Sequence, residues 1–361
     1  MGDFEAVSEQ LEAKRLLSAA LAEGPAHAYL LHGPPGVGKR DLALLFAAEL
    51  LGDHARVERR SHPDLYVLEP VGDQIRIDDI RELRRDLHMR PFEAARRVYV
   101  VLGADTMNED AADALLKDLE EPPPYAVLLL VANDLGPLPE TIRSRCQLVP
   151  FRRLSEPAVR AAIRARAPEL ADDEVTTLAR VAGGRLDRAE RLLDPAAARR
   201  RETLLGVARA VYLEPELDTA AATESLLAGI AERGAEARER ADETVAVLEL
   251  TGREAEQRVR RAQRGAERDE LLAVLEELEW WYRDLVVLAA GAEAAVVHVD
   301  RLEELRADAD RERLLGAERA CEIVRAAWRE AEELQLSTPL ALEALLVRLR
   351  GELAAPALAR S

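Results

Sequence analysis

The stretch Ala28–Arg40, AYLLHGPPGVGKR, decides the fold. Its first five residues are a short apolar run of the kind that forms a strand buried on both faces. Gly33–Arg40 then reads GPPGVGKR, and Arg40–Leu51, RDLALLFAAELL, continues at helical spacing until Gly52. Strand, glycine-rich loop and helix in that order are the context that gives a GxxxxGK motif its meaning. Backbone N–H groups of the loop and of the helix N-terminus can surround phosphate oxygens, and the lysine can reach the outer phosphates. Gly33, Pro34, Pro35, Gly36, Val37, Gly38, Lys39 and Arg40 are therefore the candidate nucleotide-binding residues.

Outward from the loop, short apolar runs recur at Leu65–Leu68, Val98–Leu102, Ala126–Val131 and Gln147–Phe151. Helical patterns lie between them at Asp78–His88 and Glu109–Glu121, the second stopped by Pro122-Pro123-Pro124, with a helical turn at Pro139–Ser144. Buried strands separated by helices predict a parallel α/β sheet. A first helix, capped by Ser8 and stopped by Gly24, precedes them. Beyond Phe151 the strand signal nearly vanishes: residues 154–194 read as three short helices broken at Pro168 and Gly183-Gly184, and from about Arg199 long Ala/Leu/Glu/Arg segments predict a helical bundle. Glu232–Asp269 is nearly all Arg, Glu and Ala, which fits either a long solvated helix or a loose connection. Three domains are expected: an α/β nucleotide-type domain over 1–153, a small helical lid over 154–198 and an all-helical collar over 199–361.

The 361-residue chain carries 50 basic and 68 acidic side chains, for a net charge of −18. Neither half is basic, so any contact with nucleic acid must come from a local patch and not from a whole cationic domain. Cys146 and Cys321, the two cysteines, make neither a disulfide framework nor a four-ligand zinc site, and a reducing cytoplasm is the expected compartment. No apolar run is long enough to predict a membrane-spanning helix, and the N-terminus lacks the layout of a secretory signal.

The loop lacks two parts of a hydrolytic site. After the lysine, a Ser or Thr hydroxyl would hold magnesium; Arg40 cannot ligate a cation. A strand ending in adjacent carboxylates would complete the metal site, but Val98–Asp105, VYVVLGAD, offers Leu102, Gly103 and Ala104 there and a lone Asp105. Fold retention with loss of catalysis is the expectation.

Several segments together resemble one family: HAYLLHGPPGVGK (His27–Lys39), SHPDLYVLEP (Ser61–Pro70), IRIDDIRELRRDLHMRPFEAARRVYVV (Ile75–Val101), ALLKDLEEPPPYAVLLLVAND (Ala114–Asp134) and LPETIRSRCQLVPFRRL (Leu138–Leu154). They are similar to the delta-prime subunits of the bacterial DNA polymerase III clamp loader, which are AAA+ proteins. WWYRDL (Trp280–Leu285) resembles an aromatic helix of the family's collar. The resemblance implies an assembly with tau/gamma motor subunits and a delta subunit that opens a sliding clamp and closes it on primed DNA. In the motor subunits a Gly-x-x-Arg pattern in the lid supplies an arginine to the nucleotide. Here, counting from Gly184, Asp187 stands in that place, between Arg185 and Arg188. ATP is thus expected to be bound weakly or vestigially. The family's zinc-binding cysteines are missing from GDHARVERRSHPDL (Gly52–Leu65), so no zinc is expected, and His54 and His62 read as surface or packing residues.

Within Ser144-Arg145-Cys146, the resemblance makes Arg145 an arginine finger reaching a neighbouring subunit's ATP; the plain alternative is a helix-end arginine in a local ion pair. A guanidinium suits the finger role, being always charged and rich in donors. Cys146 reads as packing. Arg81, Arg84 and Arg85 share one face of their helix and are candidates for DNA phosphates, unless Asp78, Glu82 and Asp86 neutralise them. Lys117 has a motif position without a derivable role. Rival readings are an active motor ATPase of the same complex and an unrelated AAA+ adaptor.

Overall fold

The computed structural model describes residues 4–70, 74–247, 252–310, 313–333 and 337–353. It divides into two compact units, Met1–Arg166 with Gly183–Arg188, and Ala167–Ala182 with Ala189–Ser361.

In the first unit the chain runs α1 (Leu11–Glu23), β1 (Ala28–His32), α2 (Lys39–Leu51), α3 (His54–Glu58), β2 (Leu65–Leu68), α4 (Ile77–Leu87), β3 (Arg97–Leu102), α5 (Glu109–Glu120), β4 (Ala126–Ala132), α6 (Glu140–Arg143), β5 (Gln147–Pro150) and α7 (Glu156–Arg166). The five strands form one parallel sheet in the order β2-β3-β4-β1-β5. Strand side chains alternate between two cores. Tyr29, Leu31, Val98, Val100, Val127 and Leu129 pack with Leu17 of α1 and with Leu42 and Phe46 of α2. Leu30, Tyr99, Val101, Leu128 and Leu130 pack with Ile80 and Leu83 of α4, Leu115 of α5 and Ile142 of α6. A strand covered on both faces needs apolar or paired residues at every position: β4 and Val98–Leu102 of β3 are apolar and buried, and the buried Arg97 is paired with Asp86.

The start of the chain departs from expectation. Ser8 does not cap α1; the helix begins at Leu11, after Glu9 and Gln10, both with positive φ. The reason is tertiary. Gln10 Nε2 donates to Val37 O and Arg152 O, and its Oε1 accepts from Arg152 N, so the residue is held in that conformation by partners far along the chain.

The second unit holds α8 (Asp172–Ala182), most of α9 (Leu186–Leu193), then α10 (Pro195–Leu213), α11 (Thr219–Val247), α12 (Gly252–Ala289), α13 (Leu302–Asp308), α14 (Leu314–Glu333) and α15 (Thr338–Leu353). Glu232–Asp269 is helical on both sides of residues 248–251, which lie outside the described residues. Within WWYRDL, Trp281 and Tyr282 are fully buried in one apolar core with Leu204, Leu278, Val324 and Leu346. The indole donates to Tyr212 Oη and the Tyr282 hydroxyl to Ala208 O, so both polar tips are satisfied. Among the described residues no helix is long and apolar enough to cross a membrane.

Candidate functional site

The loop Gly33–Lys39 leaves the carboxyl end of β1 and enters α2 with Gly38 as N-cap, the geometry that aims backbone N–H groups at an anion. Its own chain fills the cradle. Gly36 adopts φ 65°, and a Cβ there would lie 1.8 Å from Asp187 Oδ1, so the carboxylate rests directly on the glycine backbone. Leu186 N donates to Gly36 O at 2.7 Å, fastening the start of α9 to the loop. At the loop's entrance, Gly33 has no room for a side chain, since a Cβ would meet Phe151 O at 2.3 Å.

Lys39 is 5% exposed and is turned onto its own loop. Its Nζ donates to Gly33 O and Pro34 O, each at 2.5 Å, and to Asn133 Oδ1 at 3.0 Å. Burial brings its pKa down to about 8, against the upward pull of Asp105 and Asp187. Asp187 is held by Arg185 at 2.6 Å; burial pushes its pKa up, but the hydrogen bond and charge of Arg185, aided by Arg188, keep it below the usual carboxylate range. Asp105 turns Oδ2 to the N–H groups of Asn133 and Asp134, while its Oδ1 is buried with no hydrogen-bond partner among the described residues. Arg40 points away, to Glu69 at 2.8 Å. In this arrangement a carboxylate lies on Gly36, the lysine is bonded to loop carbonyls, and the residue after it is a cation. Among the described residues no group of three or more His, Cys, Asp or Glu could hold a metal ion.

Asn133 and the reach of Asp187 into the loop escaped the sequence reading. VAND at the end of an apolar run is a visible signal for the asparagine, because strand ends flank the loop in a parallel sheet. For Gln10 no local signal exists.

Arg145 follows α6 and does not hydrogen-bond the loop. Its guanidinium donates to Thr141 O at 2.9 Å and Glu120 Oε1 at 2.5 Å, leaving the side chain 34% exposed. Cys146 is half-buried against the second core, and burial raises its thiol to about 12, which makes it packing and not a nucleophile. On α4, Arg84 reaches the buried Asp118 of α5 at 2.5 Å, Arg81 pairs with Asp78 at 3.0 Å, and Arg85 donates to Arg81 O. His62 is buried: its Nδ1 accepts from Asp64 N, and Asp64 in turn receives the N–H groups of Phe92, Glu93 and Ala94, so SHPD braces the loop before β3.

The family model described as "DNA polymerase III, delta subunit" matches residues 9–155. The two ends of this matched segment are tied together, since the Glu9 carboxylate accepts from Ser155 N and Oγ. The DNA polymerase III subunit delta' of Bacillus subtilis is 35% identical over 145 residues, 37% of this chain and 44% of that protein. The subunit delta' of Pseudomonas aeruginosa is 40% identical over 136 residues, 34% and 42% of the two chains. The subunit tau of Bacillus subtilis is 30% identical over 168 residues, 43% and 30%. The chain spans less than half the length of these curated relatives.

Proposed function

We propose that the chain is a delta-prime-type subunit of a DNA polymerase III clamp loader, hydrolysing little or no nucleotide itself and lending Arg145 to a neighbouring hydrolysing subunit. The phosphate loop carries this reading: Asp187 on Gly36 and Lys39 on its own carbonyls take up the groups that would receive a triphosphate. Arg145, by contrast, is held at the surface with guanidinium donors to spare. The partners in this reading are tau/gamma-type motor subunits, a delta subunit, a sliding clamp and primed DNA; the product is a clamp closed on that DNA. Nucleotide binding by this chain's own loop is vestigial. Arg81, in an exposed pair with Asp78, and Arg85 stay the α4 candidates for DNA phosphates, because Arg84 is committed to the buried Asp118. The division into domains 1–153, 154–198 and 199–361 belongs to the same proposal.

The test is DNA- and clamp-stimulated ATP hydrolysis by the reconstituted complex, comparing wild type with Arg145→Ala in this chain alone. A finger is worth about 10³–10⁵ in rate at the site it serves. The expected result is loss of that site's contribution with the complex intact, and no turnover by this chain alone. An unchanged rate would remove Arg145 from the mechanism. One observation favours an active motor instead: Lys39, Asp105 and Asn133 remain clustered at the strand ends. Turnover by the isolated chain, abolished by Lys39→Ala, would establish that reading.

A further inference from the structure

We propose that Glu120 is the positioning residue of Arg145, an inference that rests on the reading that Arg145 acts on a nucleotide held by a neighbouring subunit. Arg145 is a long side chain with many rotamers to lose on being fixed. Three acceptors restrict it: Thr141 O at 2.9 Å and, more loosely, Ser144 Oγ at 3.4 Å on one terminal nitrogen, and Glu120 Oε1 at 2.5 Å on the other. The first is a carbonyl one helical turn earlier on the same chain segment, and it cannot fix the guanidinium plane alone. Glu120 comes from 25 residues away, so it ties the arginine to another element.

That element is built to present the carboxylate. Glu120 is the last residue of α5, Glu121 follows as C-cap, and Pro122-Pro123-Pro124 prevents continuation. On the preceding turns Leu115 and Leu119 are anchored in the core, and Asp118 is tied to Arg84 of α4. The helix end is therefore rigid where Glu120 leaves it, at 51% side-chain exposure. An exposed ion pair adds little to stability, so its consequence lies in geometry. Glu120, Thr141 O and Ser144 Oγ engage at most three of the five guanidinium donors and leave the others to meet an anion. This gives the LEEPP and SRC segments a joint purpose that neither has alone.

The experiment uses the complex assembled from this chain, its motor subunits, the sliding clamp and primed DNA, with ATP hydrolysis followed over ATP concentration. Glu120→Gln, Glu120→Ala and Glu120→Asp in this chain are compared with Arg145→Ala. Glu120→Gln and Glu120→Ala are expected to lower kcat about tenfold at unchanged KM, with partial rescue in Glu120→Asp, which keeps the charge. In an Arg145→Ala background, Glu120→Ala is expected to cost nothing further, because contacting residues that act as a unit are not additive. If Arg145→Ala lowers the rate but the Glu120 variants do not, or raise it, the positioning role is overturned and the finger reading stands. The same Glu120→Ala loss in both backgrounds means a merely structural effect and also overturns it. No effect of Arg145→Ala sinks the finger reading itself, and the positioning role with it.

Discussion

At the scale of single residues, Gly36 and Asp187 describe the state of the phosphate loop more sharply than the motif does. A glycine in a GxxxxGK loop ordinarily serves close approach to phosphate; here the group that approaches is a carboxylate of the same chain. Gly36→Ala is therefore expected to be costly, both because φ is 65° and because the methyl would fall 1.8 Å from Asp187 Oδ1. Strain plus overpacking should lower stability by about 2–4 kcal/mol. Asp187→Ala should recover part of that loss and not all, since Asp187 N lies 2.7 Å from the same point. Thermal unfolding of the two single variants and the double variant measures this; equal losses with and without Asp187 would show that the carboxylate does not fill the cradle. The sequence marked Asp187 only by comparison with the arginine of motor subunits. That it touches Gly36, 151 positions earlier, belongs to tertiary packing and leaves no periodic trace.

At the scale of elements, β1, β3 and β4 are readable because burial on both faces leaves almost no polar position to confuse the pattern. The ends were less so: β3 begins at Arg97, one residue before the apolar run, because Arg97 is buried in a bidentate pair with Asp86 of α4. The start of α1 was misread because Gln10 answers to Val37 and Arg152, not to its neighbours. In the second unit a polar cluster lies hidden in helical sequence that shows only an apolar period. His298 is fully buried, with Nδ1 at 2.8 Å from Asp284 and Nε2 at 3.2 Å from Glu277, both on α12. Arg201 of α10 joins Glu277 to Asp300 of the turn Val299–Arg301, Arg283 lies against Asp284, and the Trp281 ring packs edge-on to the imidazole. Burial alone would depress the His298 pKa, but hydrogen bonds and charge from Asp284 and Glu277 raise it. A raised folded pKa adds stability that is complete below the unfolded value near 6.5 and is lost as pH climbs through the folded value. His298→Gln is therefore expected to destabilise most around pH 5.5, by about 3–5 kcal/mol for breaking a buried ion cluster. The penalty should shrink at alkaline pH. Chemical denaturation of both proteins across that range is the check, and a penalty that grows with pH would contradict a charged His298.

At the scale of the whole molecule, the first unit is completed by a segment that returns to it from later in the chain. Gly183–Arg188 groups with residues 1–166. It is stitched in by Leu186 N to Gly36 O, by Leu154 N to Gly184 O and by Arg153 to Gly183 O. The close fit is steric as well, since a Cβ at Gly184 would meet Leu154 O at 2.6 Å. The proposed boundary at residue 153 cuts before these contacts, whereas a boundary at 198 keeps them. A fragment of residues 1–153 should therefore fold less stably than one of residues 1–198. Two or three hydrogen bonds and the half-buried Asp187 contact are worth about 2 kcal/mol together. The shorter fragment should also leave the phosphate loop uncovered, because Asp187 is gone while Gly33, Gly36 and Lys39 remain. Thermal unfolding of the two fragments, each with and without added ATP, reads both consequences. A lower midpoint for 1–153, raised by ATP only in that fragment, would make residues 183–188 the plug of the loop. Equal midpoints and no difference in response to ATP would mean that the loop is inert by its own sequence, through Arg40 and the missing carboxylate, whether or not Asp187 covers it.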